Sequence, residues 1–166
     1  ESIGLNARKC LIGTIGQDAT FRTAVLPPDT PDFVKNLISS VPDDLFGFLG
    51  AGVGFSPDVI KAGKDAMKRD LAALCFILSE QPYLVTDHPT LADFAVAGLT
   101  MYVKFPTGNY LDIPEALKGK GTPTIADVGM FEPFFTWRDK LYADFRKATA
   151  SATPSSSDRP TSINIE

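Results

Sequence analysis

The feature that most constrains this chain is a run of ten residues, 94–103, without a single charge. The run reads FAVAGLTMYV, in which small residues alternate with large apolar ones. A helix of this composition is apolar on every face, and such a helix is typically buried at the centre of a domain. The small residues also let neighbouring helices approach closely. We therefore expect a buried central helix over about residues 91–104, with other helices packed around it.

The start of that helix carries its own signal. Thr90 precedes Leu91, Ala92 and Asp93, and T-x-x-D has the spacing of an N-terminal capping box. The Thr90 hydroxyl can accept from the Asp93 N–H, and the Asp93 carboxylate can reach back to the Thr90 N–H. A buried helix start must satisfy its free N–H groups locally, because water cannot reach them. We assign Thr90 and Asp93 a structural capping role.

Two other interpretations of this region stay open. Asp93 could be a catalytic base, although hydrogen bonds from backbone N–H groups favour the anion and predict a lowered pKa. His88, the only histidine, could join Asp87 and Asp93 in a metal site, although a single loop histidine is more often structural. We expect no catalytic residue and no metal site in this chain.

Apolar residues recur at three- and four-residue spacing along most of the chain. The clearest start signal is Ser56-Pro57-Asp58, with serine as the N-cap and proline in the first turn, and its pattern runs to Leu78. Further helical patterns cover residues 1–21, a segment starting at Thr30-Pro31, residues 114–119 and residues 131–148. No strand pattern is convincing. The sequence predicts an all-α bundle of five to seven helices.

Composition argues against several classes of function. The 166 residues include 16 basic and 20 acidic ones, which gives a net charge of −4. Sequence-independent binding of nucleic acid needs concentrated Lys and Arg, so we expect no nucleic-acid partner. No apolar run approaches the roughly 18 residues of a membrane span. Cys10 and Cys75 lie in helical patterns, which favours free thiols and a cytoplasmic or other reducing soluble compartment.

The chain divides into two unequal parts. Residues 1–148 hold every helical pattern, and we expect them to form one helical domain. Residues 149–166 are dominated by Ser, Thr, Pro and Ala, a composition typical of a polar, flexible C-terminal tail. We hold as a hypothesis that a protein partner orders this tail. Because the chain opens on Glu1 with residues typical of a helix interior, we expect a processed product or the second half of a longer protein.

Three segments resemble the C-terminal domain of the glutathione transferases. YLVTDHPTLADFAVAGLTMYVKFP (83–106) is similar to the central-helix signature of that family, with Thr90 and Asp93 as its capping box. FEPFFTWRDKLY (131–142) is similar to the family's late P-x-x-x-W-R pattern, and ESIGLNARK resembles the first helix after the interdomain linker. The resemblance covers about residues 1–147. It implies a glutathione transferase C-terminal-like helical bundle.

The resemblance implies a function for a parent protein. In the family, an upstream thioredoxin-like domain binds glutathione and supplies the catalytic residue, and no segment here matches that domain. Glutathione would be the co-substrate of a parent that conjugates or reduces electrophiles, and this chain alone would be neither catalytic nor cofactor-bearing. Its helical domain would wall the second-substrate pocket and form part of a homodimer interface. By analogy, the pocket candidates lie on the first helix: Ile3, Ala7, Cys10, Leu11 and Thr14.

A second hypothesis belongs to a different class of function. The same fold could serve as a non-catalytic protein-interaction or scaffold module docked in a larger assembly, because one fold hosts unrelated functions. The tail at 149–166 would then be the docking element.

Two further motifs allow a specific or an ordinary interpretation. Cys10 could form a mixed disulfide with glutathione, although a thiol on an apolar helix face is usually inert. GAGVG at 50–54 resembles a phosphate-binding loop but follows no strand, so a tight interhelical turn fits it better.

Overall fold

The computed structural model describes residues 2–27, 29–42, 54–111 and 113–146. The α-helices in these ranges are α1 (Ser2–Gln17), α2 (Ala19–Ala24), α3 (Asp32–Ser39), α4 (Pro57–Glu80), α5 (Leu91–Leu99) and α6 (Glu132–Phe145). Short 3-10 helices occupy Thr100–Tyr102, Glu115–Leu117 and Gly129–Phe131. The described ranges contain no strand beyond an isolated bridge between Lys104 and Gly121. The predicted all-α class is confirmed. The loop at 50–54 and the tail at 149–166 lie almost wholly outside the described residues.

Local signals explain where most helices begin. Ser56 caps α4 by accepting a hydrogen bond from the Val59 N–H at 3.4 Å, and Pro57 takes the first turn as the sequence predicts. The start of α3 differs from the prediction by one residue, since Pro31 is the N-cap and the helix begins at Asp32. Thr30 therefore precedes the N-cap, and its hydroxyl donates to the Pro27 carbonyl at 2.7 Å, closing the preceding turn.

Two glycines set the packing of α1 against α4, the pair of helices with the most extensive contact. A Cβ on Gly13 would lie 2.5 Å from Ile60, and one on Gly63 would lie 2.7 Å from Lys9. Both substitutions would push the helices apart, so the close approach depends on the missing side chains. Since residues 13 and 9 of α1 meet residues 60 and 63 of α4, the two helices run in opposite directions.

The main core lies between α1, α4 and α6. Its fully or almost fully buried members are Ala7, Cys10, Met67, Leu71, Leu74, Val103, Ile125, Phe131, Phe134 and Phe135. A second, smaller cluster joins Phe21, Phe105 and Leu117, and a third joins Ala97, Leu141 and Tyr142. Helix α5 therefore contributes one of its faces to the core, through Ala97 and the residues that follow the helix.

The burial of α5 differs from the sequence prediction. Asp93 and Ala97 are fully buried, but Leu91 on the opposite side is 83% exposed. The central segment is also shorter than predicted, because the α-helix ends at Leu99 and continues as the 3-10 helix Thr100–Tyr102. A charge-free sequence indicates that a helix has apolar faces. It does not indicate which of those faces the rest of the chain covers.

Candidate functional site

The exposed side of α5 is the surface of greatest functional interest. Leu91, Ala95, Leu99 and Tyr102 follow one another at helical spacing and all are exposed; we call them the outer face. Leu99 and Tyr102 are 41% and 37% exposed, so the outer face is apolar and still open to solvent. Contiguous apolar surface of this kind marks a site of contact with another protein surface or a ligand.

Helix α1 packs beside the outer face. Gly4 passes so close to α5 that a Cβ there would lie 3.0 Å from the Leu99 side chain. One residue further on, Leu5 is 51% exposed. Helices α1 and α5 are therefore in close contact at Leu99, within the outer face.

Thr90 and Asp93 hold the start of α5. The Asp93 N–H donates to the Thr90 backbone carbonyl at 3.1 Å, and the other hydrogen bonds between the two residues run to the Asp93 carboxylate. The shortest hydrogen bonds go to Asp93 Oδ2, which accepts from the Thr90 hydroxyl at 2.7 Å and from the Thr90 N–H at 2.8 Å. Asp93 Oδ1 accepts a third bond, from the Leu84 N–H at 2.8 Å. The carboxylate thus joins the preceding loop to the helix that carries the outer face.

The electrostatics of Asp93 favour its ionised form. Burial alone would raise the pKa of this carboxyl, but hydrogen bonds from the Leu84 N–H and from the hydroxyl and N–H of Thr90 outweigh that effect and lower it. A general base that works near neutral pH needs a raised pKa. Asp93 is also wholly buried, so its surroundings suit a structural anion.

The first-helix pocket candidates fall into two groups. Ala7, Cys10 and Thr14 are buried inside this chain, facing the core. Thr14 donates to the Cys10 carbonyl at 2.8 Å and lies 3.2 Å from the Thr122 hydroxyl. Ile3 and Leu11 are only half-buried, so they are the candidates whose side chains remain accessible to a ligand.

Cys10 has the properties of a structural thiol. Burial raises its pKa to about 11, although Lys64 and the Thr122 hydroxyl act in the opposite direction. Cys75 is partly buried, and burial raises its pKa too. Both cysteines are free. Such thiols are poor nucleophiles at neutral pH.

His88 does not meet the acid that a metal site would need. Its Nδ1 lies 2.8 Å from Asp87 Oδ1 on the surface, whereas Asp93 is buried and engaged with Thr90 and Leu84. Within the described ranges, no three His, Cys, Asp or Glu residues group as metal ligands would. No helix in the same ranges combines the length and the apolar character needed to cross a membrane.

Arg138 is a positioning residue that sequence reasoning missed. Its guanidinium is fully buried, and its Nη1 donates to the carbonyls of Lys104 at 2.6 Å and Thr100 at 3.4 Å. Its other nitrogens pair with Asp139 Oδ1. Arg138 thereby ties α6 to the segment that ends α5. The P-x-x-x-W-R pattern contains this residue, but the spacing alone did not reveal which carbonyls it would meet.

Comparison with known proteins bears on the segment that contains this site. Residues 41–119 match the family model for the glutathione S-transferase C-terminal domain. The matched range contains α4, the capping pair, α5 and the outer face. No curated protein and no solved structure matches the chain. The matched segment and the all-α architecture support a glutathione S-transferase C-terminal domain in this chain.

Proposed function

We propose that this chain is the helical half of a glutathione transferase-like protein, and that its outer face packs against an upstream thioredoxin-like domain that binds glutathione. The observation that carries the proposal is the outer face itself, an uncharged and exposed surface on a helix whose opposite side lies in the core. Packing another domain there would bury Leu91 and Leu99. Full burial of one such side chain contributes about 1.5–3 kcal/mol.

The proposed reaction is the attack of a glutathione thiolate on an electrophile, or the reduction of one. The upstream domain would supply glutathione and the activating residue. This chain would supply part of the second-substrate wall through the half-buried Ile3 and Leu11 of α1. Its contribution to the rate would be to hold the electrophile near the thiolate, which reduces the entropic barrier.

A homodimer is the second part of the proposal. Phe76 on α4 is 72% exposed and has Ala72 and Ala73 beside it on the same exposed side. Aromatic side chains are enriched at subunit interfaces. Free Cys10 and Cys75 support a reducing compartment for this assembly.

The test uses the full-length natural protein, including any residues that flank this chain. We expect it to be retained on immobilised glutathione and to conjugate 1-chloro-2,4-dinitrobenzene. Leu99→Lys should then lower conjugation at least about tenfold, because a charge on the outer face would separate the two domains. Met130→Lys is the matched control, since Met130 is exposed on the 3-10 helix before α6, outside the outer face.

Two outcomes would contradict the proposal. Equal loss in the Leu99→Lys and Met130→Lys variants would show that the outer face has no special role. If the full-length protein is not retained on immobilised glutathione and conjugates no electrophile, the transferase function is excluded. A different protein that co-purifies with the wild type and is lost with Leu99→Lys would then identify the non-catalytic interaction module.

A further inference from the structure

A groove lies between α5 and α6, beside the outer face and outside the regions assigned above. Phe94 of α5 and Met101 of the 3-10 helix that follows it form one wall, Leu141 and Phe145 of α6 form the other, and the volume is about 570 Å³. The rings of Phe94 and Phe145 meet edge to face with their centroids 5.4 Å apart. A groove of this size and lining suits a small molecule with an apolar body.

The backbone of α5 leaves room for a flat ring. Phe94, Gly98 and Met101 follow one another at the four- and three-residue spacing of one helix face. Gly98 has no side chain, and a Cβ built there would have no heavy atom within 4 Å. A planar group can therefore lie on this turn of the helix and contact the two phenylalanine rings.

Arg146 gives the groove a positive end. It lines the groove and is exposed, and among the described residues no carboxylate forms an ion pair with it. The neighbouring Tyr142 hydroxyl is not free to bind a ligand through its proton, because it donates to the Ala97 carbonyl at 2.8 Å. The guanidinium of Arg146 is therefore the group that can select a ligand by charge.

We propose that this groove binds an aromatic carboxylate, with its ring against Phe94, Gly98 and Phe145 and its carboxylate on Arg146. The aromatic lining favours ring packing, and the guanidinium matches the planar fork of a carboxylate. Binding makes and breaks no covalent bond, and it does not depend on glutathione. The charge of Arg146 distinguishes this ligand from a neutral aromatic molecule of the same size.

The first experiment compares an acid with its neutral amide. The full-length natural protein is titrated calorimetrically with 1-naphthylacetate and with 1-naphthylacetamide. We expect the acid to bind about three- to fivefold more tightly, which is the range of a solvent-exposed ion pair. Arg146→Gln should weaken binding of the acid by that factor and leave binding of the amide unchanged. A mutation that acted only through the fold would weaken both.

The second experiment fills the groove. Gly98→Leu should weaken binding of both compounds at least about tenfold, because the new side chain occupies the space of the ring. The substitution is compatible with folding, since leucine favours a helix more than glycine does. Ala143→Leu is the matched control, because Ala143 is exposed on α6 and does not line the groove.

Several results would overturn the proposal. The proposal fails if the wild type binds the acid and the amide equally tightly, or if the full-length protein binds neither compound. It also fails if the Gly98→Leu and Ala143→Leu substitutions weaken binding equally. Binding that appears only after removal of residues 149–166 would also overturn it, because the occupant would then be the tail of the chain itself.

Discussion

The Asp93 carboxylate accepts a hydrogen bond from the backbone N–H of Leu84, nine residues earlier in the chain, at 2.8 Å. The same side chain accepts from the hydroxyl and N–H of Thr90. One buried anion therefore satisfies donors from both the loop and the helix start, and it fixes the angle at which α5 enters the core. The outer face is carried on that helix, so its orientation depends on this contact.

We expect Asp93→Ala to lower the free energy of unfolding by about 2–3 kcal/mol, because it leaves buried N–H groups without an acceptor. For a domain of this size that is a fall in Tm of roughly 6–10 °C. Thermal unfolding followed by circular dichroism measures it. Asp87→Ala is the control, since Asp87 is an exposed acid in the same loop and should change Tm little. An unchanged Tm in Asp93→Ala would contradict the capping role.

The ionised state of Asp93 predicts how stability depends on pH. The pKa of Asp93 in the folded protein lies below its ordinary value of about 3.9, which applies to the unfolded chain. The carboxylate therefore contributes its full stabilisation above about pH 5 and loses it as the pH falls through the folded pKa. The difference in unfolding free energy between wild type and Asp93→Asn should shrink below pH 4. Urea unfolding at several pH values tests this, and a constant difference would contradict it.

Much of the fold follows from short-range signals in the sequence. Ser56 and the Thr90–Asp93 pair mark helix starts because a capping side chain lies within three residues of the N–H that it satisfies. The exposure of Leu91 and the place of Arg138 did not follow from such signals. Both depend on which distant segments meet α5: the described chain leaves one face of the helix uncovered, and α6 brings an arginine to the carbonyls beyond its end.

Arg138 gives a prediction about that long-range contact. Arg138→Met should lower the free energy of unfolding by about 2–4 kcal/mol, since the Lys104 carbonyl and the Asp139 carboxylate lose a buried partner. Arg138→Lys should recover only part of this, because an ammonium cannot reproduce the guanidinium fork. Urea unfolding measures both variants, with Arg69→Met on the exposed side of α4 as the control. Equal midpoints for all three variants would contradict the assigned role.

Cys10 should resist alkylation in the folded protein. With its pKa raised to about 11, only about one thiol in a thousand is ionised at pH 8, and burial also blocks the reagent. We expect iodoacetamide to modify Cys75 before Cys10, and both to react quickly in 6 M guanidinium, roughly the strength that unfolds most domains. Peptide mass mapping over time measures the order. Faster labelling of Cys10 than of Cys75 in the folded protein would contradict this prediction and support a redox role for Cys10.

The proposed homodimer leads to a prediction at Phe76. If the exposed ring is buried between subunits, Phe76→Lys should weaken dimerisation about 30-fold or more, the effect of losing an aromatic residue that dominates an interface. Sedimentation velocity of the full-length protein over a range of concentrations measures the dimer fraction. Leu37→Lys introduces the same charge at a comparably exposed residue on α3 and should leave the dimer unchanged. A monomeric wild type, or equal dissociation of both variants, would rule out this interface. Loss of the dimer in Phe76→Lys but not in Leu37→Lys would place the subunit contact on α4, the helix whose opposite face packs against α1.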